Sequence, residues 1–213
     1  MATFILRPSS EPSRAHSCSS GSNGYALISE STADDDSTYI YQDVTGTSDA
    51  TKASTFNLSG TLPSGSFKVT GATLYVRARS TGSGSYSGTY KLSIDSSNSN
   101  MSLGTSYQTS SNTGAAASLK NNTYTSSDFP SLSVGVTTVG KKSQSKDDNY
   151  QIRITQVYLE VTYEPVETNA LYIKQNGSWV KYSQAYKKVN GAWVLQSDLT
   201  SVFSQNTNYV KGN

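Results

Sequence analysis

The chain has 213 residues, one cysteine and a formal net charge of +2, with 17 Lys and Arg against 15 Asp and Glu. Ser (39) and Thr (24) together make 63 of the 213 residues, and charged residues only 15%, well below the usual quarter. A single Cys excludes an intrachain disulfide, so small a charge excess does not imply nucleic acid, which needs a clustered basic stripe, and no run approaches the ~18 apolar residues of a membrane span.

Thr, Val and 15 Tyr favour pleated, half-buried surfaces, and Ser, Gly and Asn supply turns. The expectation is an all-β chain: a jelly-roll-like β-sandwich over residues 1–163, a linker over 164–169, and a small β module over 170–213 built as a hairpin meander. Residues 1–163 hold twelve basic and twelve acidic side chains, so the whole charge excess lies in 164–213, where five Lys meet three acids. These read as solvated surface lysines.

Taken in chain order, the first strand is expected at Thr3–Arg7. The start, Met1 to Pro8, has no basic leader, and its apolar run is too short for a signal peptide; synthesis in a cytoplasm is expected. His16 and Cys18 fall in the polar stretch Ser13–Ser22. A zinc site would need two further ligands, and a Cys–His hydrolase an orienting partner and a pocket, so both read as incidental loop residues. A strand at Tyr25–Ile28 precedes the triplet Asp34-Asp35-Asp36. Clustered carboxylates suit Ca²⁺, but the spacing is not that of an EF-hand loop, and Asp side chains commonly bond nearby amides in turns.

Further strands are expected at Thr38–Val44, Ser54–Leu58, Phe67–Arg79, Thr89–Asp95, Met101–Tyr107, Leu132–Val139 and Tyr150–Tyr163. A helical turn is weakly signalled at Ser126–Phe129. Residues 82–88 and 96–100 read as Ser/Gly/Asn connections, and 140–149 as a polar link. Two strands share an irregularity. Phe67 and Val69 alternate on odd numbers, then Ala72, Leu74, Val76 and Ala78 on even ones; Ile152 and Ile154 are even, then Val157, Leu159, Val161 and Tyr163 odd. Side chains alternate faces with period two, so the extra residue in each strand must flip the pattern or bend the strand, and a β-bulge or corner near Thr70-Gly71 and Thr155-Gln156 accommodates it. The shared irregularity predicts that the two strands are antiparallel neighbours over one core.

In the tail, Asn176-Gly177-Ser178-Trp179-Val180 returns as Asn190-Gly191-Ala192-Trp193-Val194. Asn-Gly suits a type I′ turn, in which both central residues have positive φ. Two hairpins follow: Leu171–Gln175 with Ser178–Tyr182, and Tyr186–Val189 with Ala192–Leu195. Short hairpins need an apolar anchor. Tyr172, Trp179, Tyr186 and Trp193 recur at matching positions, and Phe203 and Tyr209 follow; these six are the candidate partner-binding residues, either packed as a core or presented to a partner. No catalytic constellation, metal site or cofactor motif is read. Glu11, Glu30 and Glu160 are the carboxylates a glycosidase could draw on, but Glu160 alternates with apolar Leu159 and Val161 and faces outward.

The stretch from Ala26 to Ile40, Ala-Leu-Ile-Ser-Glu-Ser-Thr-Ala-Asp-Asp-Asp-Ser-Thr-Tyr-Ile, resembles a pattern of tailed-bacteriophage virion proteins in which it opens a jelly-roll domain that ends in a long strand like Val157–Tyr163. The Trp and Asn-Gly tail resembles C-terminal modules of minor structural proteins in phages of Gram-positive hosts. The resemblance implies a non-enzymatic virion component, a capsid decoration, head-fibre or tail accessory protein, present in many copies or as a homo-oligomer. It would dock on other virion proteins and be located in the virion, with a host-surface glycan as a further partner. The alternative reading is a carbohydrate-binding module that uses exposed Trp and Tyr, with or without Ca²⁺.

Overall fold

The computed structural model describes residues 1–82, 84–143, 150–166, 171–175, 177–182, 185–189 and 191–196. The chain divides into two compact units, Met1–Pro165 and Val166–Asn213. The first contains β1 (Ala2–Ser13), β2 (Ser17–Cys18), α1 (Gly24–Ile28), β3 (Ile40–Val44), β4 (Ala50–Ser59), β5 (Phe67–Ser80) and β6 (Gly84–Leu92). After these come β7 (Ser99–Asn100), β8 (Gln108–Asn112), a 3₁₀ turn at Ala117–Leu119, β9 (Thr123–Tyr124), β10 (Leu132–Lys142) and β11 (Tyr150–Pro165).

The expected all-β, sandwich-like fold is what forms, from antiparallel strands in two layers. In the front layer, β11 is flanked on one edge by β3 and by residues 2–6 of β1, and on the other by β5, whose outer edge carries β8 and β9. In the back layer the order is residues 7–13 of β1, then β4, β10, β6 and β7. β1 therefore belongs to both. Leu6 is opposite Leu159 of β11, whereas Arg7 is opposite Ser59 of β4. Pro8 lacks an N–H, so the ladder cannot continue regularly through it, and register shifts follow at Pro8/Ser10 and Ser10/Ser13.

The core lies between the layers. Leu74, Val76 and Ala78 of β5 and Ile154, Val157 and Leu159 of β11 face Phe56 of β4, Val134 and Val136 of β10 and Leu92 of β6, all fully buried. Each such side chain contributes roughly 1.5–3 kcal/mol on burial. The end of the sandwich where β11 leaves is closed by aromatic rings: Phe67 meets Phe4 at 5.7 Å and Tyr163 at 5.6 Å, both edge-on. The bulges lie where the apolar pattern places them. Ile154 is opposite Ala78 and Gln156 opposite Arg77, so Thr155 is the extra residue of β11; Thr162 is opposite Gly71 and Tyr163 opposite Val69, so Thr70 is that of β5.

Several elements differ from expectation. Tyr25–Ile28 is not a strand but most of α1, with Ile28 buried in the core. Met101–Tyr107 is not a strand either. Ser99–Asn100 pairs with β6 in the back layer and Gln108–Asn112 with β5 in the front layer, so the segment between must cross from one to the other. Residues 84–88, expected as connection, are strand and pair with residues 138–142 of β10. Ser126–Phe129 is a turn, closed by Phe129 N–H donating to Thr125 O at 3.2 Å.

In the second unit, β12 (Leu171–Gln175) pairs with β13 (Ser178–Tyr182), and β14 (Ala185–Val189) with β15 (Ala192–Gln196), as two separate two-stranded ladders. The β13–β14 pairing that would join them into one meander is not among the described ladders. Gly177 and Gly191 have φ of 83° and 86°, as the second central position of a type I′ turn requires. Glu164 and Pro165, expected in the linker, extend β11 opposite Lys68 and Phe67.

The corner made by β1 is tight at Gly60, where an added Cβ would lie 2.2 Å from the Ile5 carbonyl oxygen. Gly60→Ala should cost about 1–3 kcal/mol through the forced backbone shift. Gly135→Ala, on β10 with nothing within 4 Å of the new Cβ, should be neutral or stabilising by up to ~1 kcal/mol. Urea denaturation midpoints of the two variants compare them directly, and equal midpoints would show that the corner yields.

Candidate functional site

Alternation along β5 and β11 that buries Leu74, Val76, Val157 and Leu159 turns Thr73, Tyr75, Arg77, Arg79, Arg153, Tyr158 and Glu160 to the outer face of the front layer. The loop between α1 and β3 lies over this face. Its start is held where Gln156 Nε2 donates to Glu30 O at 2.9 Å, beside Arg7 Nη1 donating to the same oxygen. Thr38 Oγ1 donates to Glu30 Oε1 at 2.8 Å.

The acidic triplet forms the other hold. Asp34 Oδ1 accepts from Thr38 N at 3.0 Å and Thr38 Oγ1 at 2.9 Å, a local turn. Asp35, with φ of 53°, accepts both Arg77 Nε at 2.7 Å and Arg77 Nη2 at 2.8 Å, the paired geometry in which guanidinium and carboxylate match best. Asp36 Oδ1 accepts from Arg79 Nη2 at 2.6 Å, Arg153 Nη1 at 2.7 Å and Tyr107 OH at 3.2 Å. The guanidiniums also lie over rings, Arg79 over Tyr107 at 4.8 Å and Arg153 over Tyr39 at 4.4 Å. Burial would raise the Asp36 carboxyl, but Arg153, Arg79 and Tyr107 outweigh it and hold it below the usual carboxylate range. Burial and the Asp36 charge push the Tyr107 phenol up to about 12. Three guanidiniums thus meet two carboxylates. A divalent cation arriving here would have to displace arginines, so the chemistry of the triplet is that of a clamp. Among the described residues, no group of three or more His, Cys, Asp or Glu is arranged to hold a metal ion.

His16 corrects the reading of it as an incidental loop residue. It is 3% exposed and forms, with Ser54, Thr138 and Gln42, a cluster of four polar side chains between the layers. Thr138 Oγ1 donates to Gln42 Oε1 at 2.6 Å, so it accepts from His16 Nε2 at 2.9 Å. Ser54 Oγ accepts from Ala15 N at 3.1 Å and His16 N at 3.3 Å, and donates to His16 Nδ1 at 2.7 Å. Gln42 Nε2 donates to Ala50 O at 2.6 Å. Only the neutral, Nε2-protonated imidazole satisfies every partner. Burial first, then the charge of Lys52, lowers its pKa to about 4. The Ser54–His16 contact resembles a nucleophile with its base, but Ser54 is 2% exposed and Thr138, rather than a carboxylate, occupies the third place. Cys18, expected in a loop, lies on β2 opposite Ile40, half-buried beside Arg14, and burial raises its thiol; the side-chain hydrogen bonds of His16 go to Ser54 and Thr138 and that of Cys18 to Arg14, so the two do not form a pair.

The tail residues are placed by register. Trp179 is opposite Lys174 and Tyr172 opposite Lys181; Trp193 is opposite Lys188 and Tyr186 opposite Leu195. Opposite positions share a face, so each hairpin has its Tyr and Trp positions on one face, with the Lys174 and Lys181 positions in the first and the Lys188 and Leu195 positions in the second. Phe203 and Tyr209 lie outside the described residues. Sequence reasoning did not single out Arg77, Arg79, Arg153, Tyr39, Tyr75, Tyr107 or Tyr158. Their outward parity on β5 and β11 was the available signal. No protein-family model matches the chain, and no curated protein matches it.

Two measurements test these assignments. Asp36→Asn removes the acceptor shared by Arg79 and Arg153. Exposed pairs contribute about 1 kcal/mol or less, so global stability should barely move, while amide hydrogen exchange across residues 34–39 should speed up by about fivefold; unchanged exchange would mean that the clamp does not order the loop. For His16, the unfolded imidazole takes its proton near 6.5 and the folded one near 4. Between these values the unfolded chain binds the extra proton, so stability is complete above pH 6.5 and falls as pH drops towards 4. The loss should reach roughly 3 kcal/mol in denaturation curves at stepped pH, and in His16→Gln that part of the pH dependence should vanish.

Proposed function

We propose that the chain is a non-enzymatic structural protein of a tailed-bacteriophage virion, fixed to the capsid or tail through its β surfaces and present in many copies. The observation that carries this reading is the build of residues 26–40, the stretch that resembles such virion proteins. They form a strap fixed at both ends, whose Asp35 and Asp36 are committed to Arg77, Arg79 and Arg153, so these residues serve architecture. Among the described residues, the pair that resembles a nucleophile with its base, Ser54 with His16, is sealed from substrate. Two separate units suit a protein that docks by one and presents the other. Repetition by particle symmetry lets weak single contacts add by avidity.

The test is cryo-electron microscopy of purified particles from a phage encoding this chain, with mass spectrometry of the same preparation. The expected outcome is a β-sandwich density repeating on the capsid or along the tail. Particles that lack the chain would remove the virion role.

A further inference from the structure

Arg7, Tyr158, Tyr75 and Ser111 form one cross-strand row on the outer face of the front layer. Tyr75 is opposite Tyr158 of β11 on one side and Ser111 of β8 on the other. Arg7 follows Leu6, which is opposite Leu159. The two tyrosine rings stack with centroids 4.6 Å apart and planes 17° from parallel, and the Arg7 guanidinium lies over Tyr158 at 5.1 Å. Tyr158 is thus covered on one face by Arg7 and on the other by Tyr75. Tyr75 is half-buried, and the next position in the row, exposed Ser111, is too small to cover a phenol ring, so the row supplies no side chain for its second face.

The surroundings of that uncovered face narrow its ligand. Thr73 and Arg77 flank Tyr75 on β5, and Thr109, opposite Arg77, flanks Ser111 on β8. Arg77 is already neutralised by Asp35, so an anionic ligand finds no free countercharge there, and Glu160, opposite Thr73, lies on the β11 side of the row, across the Tyr158 stack from the β8 side where Ser111 lies. In the first unit the exposed large hydrophobic residues are Met1 and Ile5, and β11 separates Ile5 from Tyr75. An apolar protein anchor would therefore lack an apolar surround. What remains is an aromatic plane bordered by three hydroxyl side chains, each able to donate and accept.

We propose that the uncovered face of Tyr75, with Thr73, Thr109 and Ser111 around it, binds one pyranose ring of a neutral glycan. The C–H face of the sugar stacks on the phenol, and its equatorial hydroxyls meet the side-chain hydroxyls. The site stands independently of the virion reading, and its failure would leave that reading untouched.

The experiment is amide NMR of the full chain titrated with the methyl glycosides of glucose, galactose, mannose and N-acetylglucosamine. Saturable shifts centred on Thr73–Arg77 and Thr109–Ser111 are expected with at least one of them. Ser111→Trp fills the open face from an edge strand and leaves the Tyr75–Tyr158 stack in place; it should weaken binding by about tenfold or more, as should Tyr75→Ala. No saturable shift with any of the four sugars, shifts confined to the hairpins at 171–196, or unchanged binding by Ser111→Trp would each overturn the proposal.

Discussion

The antiparallel pairing of β5 with β11 is the constraint on which the rest of the sandwich depends. β11 lends one edge to both β3 and β1, and β5 lends its far edge to β8 and β9, so every strand of the front layer pairs directly with one of these two except β2, which pairs with β3. The pair fits its core only because each strand absorbs its one extra residue in a bulge. Were Thr155 not bulged out of the ladder, the even-numbered Ile152 and Ile154 and the odd-numbered Val157, Leu159 and Val161 would face opposite sides, and one set would meet water. The bulge also reaches beyond the core. Thr155 Oγ1 donates to Thr38 O at 3.0 Å, pinning the loop that carries the acidic triplet, so a solution to core packing helps to set the outer face.

That outer face concentrates charge in a chain that has little of it. Arg77, Arg79 and Arg153 are fixed in direction by alternate positions on paired strands, and Asp35 and Asp36 are brought to them by a loop with no ladder of its own. A loop of this kind must offset its ordering entropy through contacts. Several partly exposed ion pairs, each weak alone, act together with tyrosine rings under the guanidiniums. A metal ion at the same carboxylates would remove the contacts that hold the loop down.

How much of this was legible in the sequence varies with the range of the interaction. The bulges and the β5–β11 pairing could be read because apolar parity is local and Phe67–Ala78 and Ile152–Val161 break it in the same way. The hairpin turns could be read because Asn-Gly states its own backbone geometry, which Gly177 and Gly191 adopt. His16 could not, because its burial depends on Ser54 and Thr138, polar residues far along the chain that no apolar pattern marks. Five residues are too few for α1 to show a helical period. The crossing at 101–107 looked like a strand because Met101 and Leu103 pack against the core from a segment that passes between layers. The arginine clamp joins residues 42, 43 and 117 positions apart, which parity alone cannot pair.

The two outer faces of the sandwich are chemically unequal, and this bears on where recognition resides. On the back layer, the rows across β4, β10 and β6 read Thr55–Gly135–Lys91, Ala53–Thr137–Thr89 and Thr51–Val139–Ser87. Apart from Lys91, these are short side chains that can lie flat against another surface but offer no anchor to fill a pocket. The front layer carries Tyr39, Tyr75, Tyr107 and Tyr158 with four arginines, the residue types that dominate binding energy where surfaces meet. Their rotamers are already restricted by stacking and ion pairs, so less entropy is lost when a partner arrives. The back face thus offers flat area of short side chains, and the front face offers aromatic rings and guanidiniums already held in place.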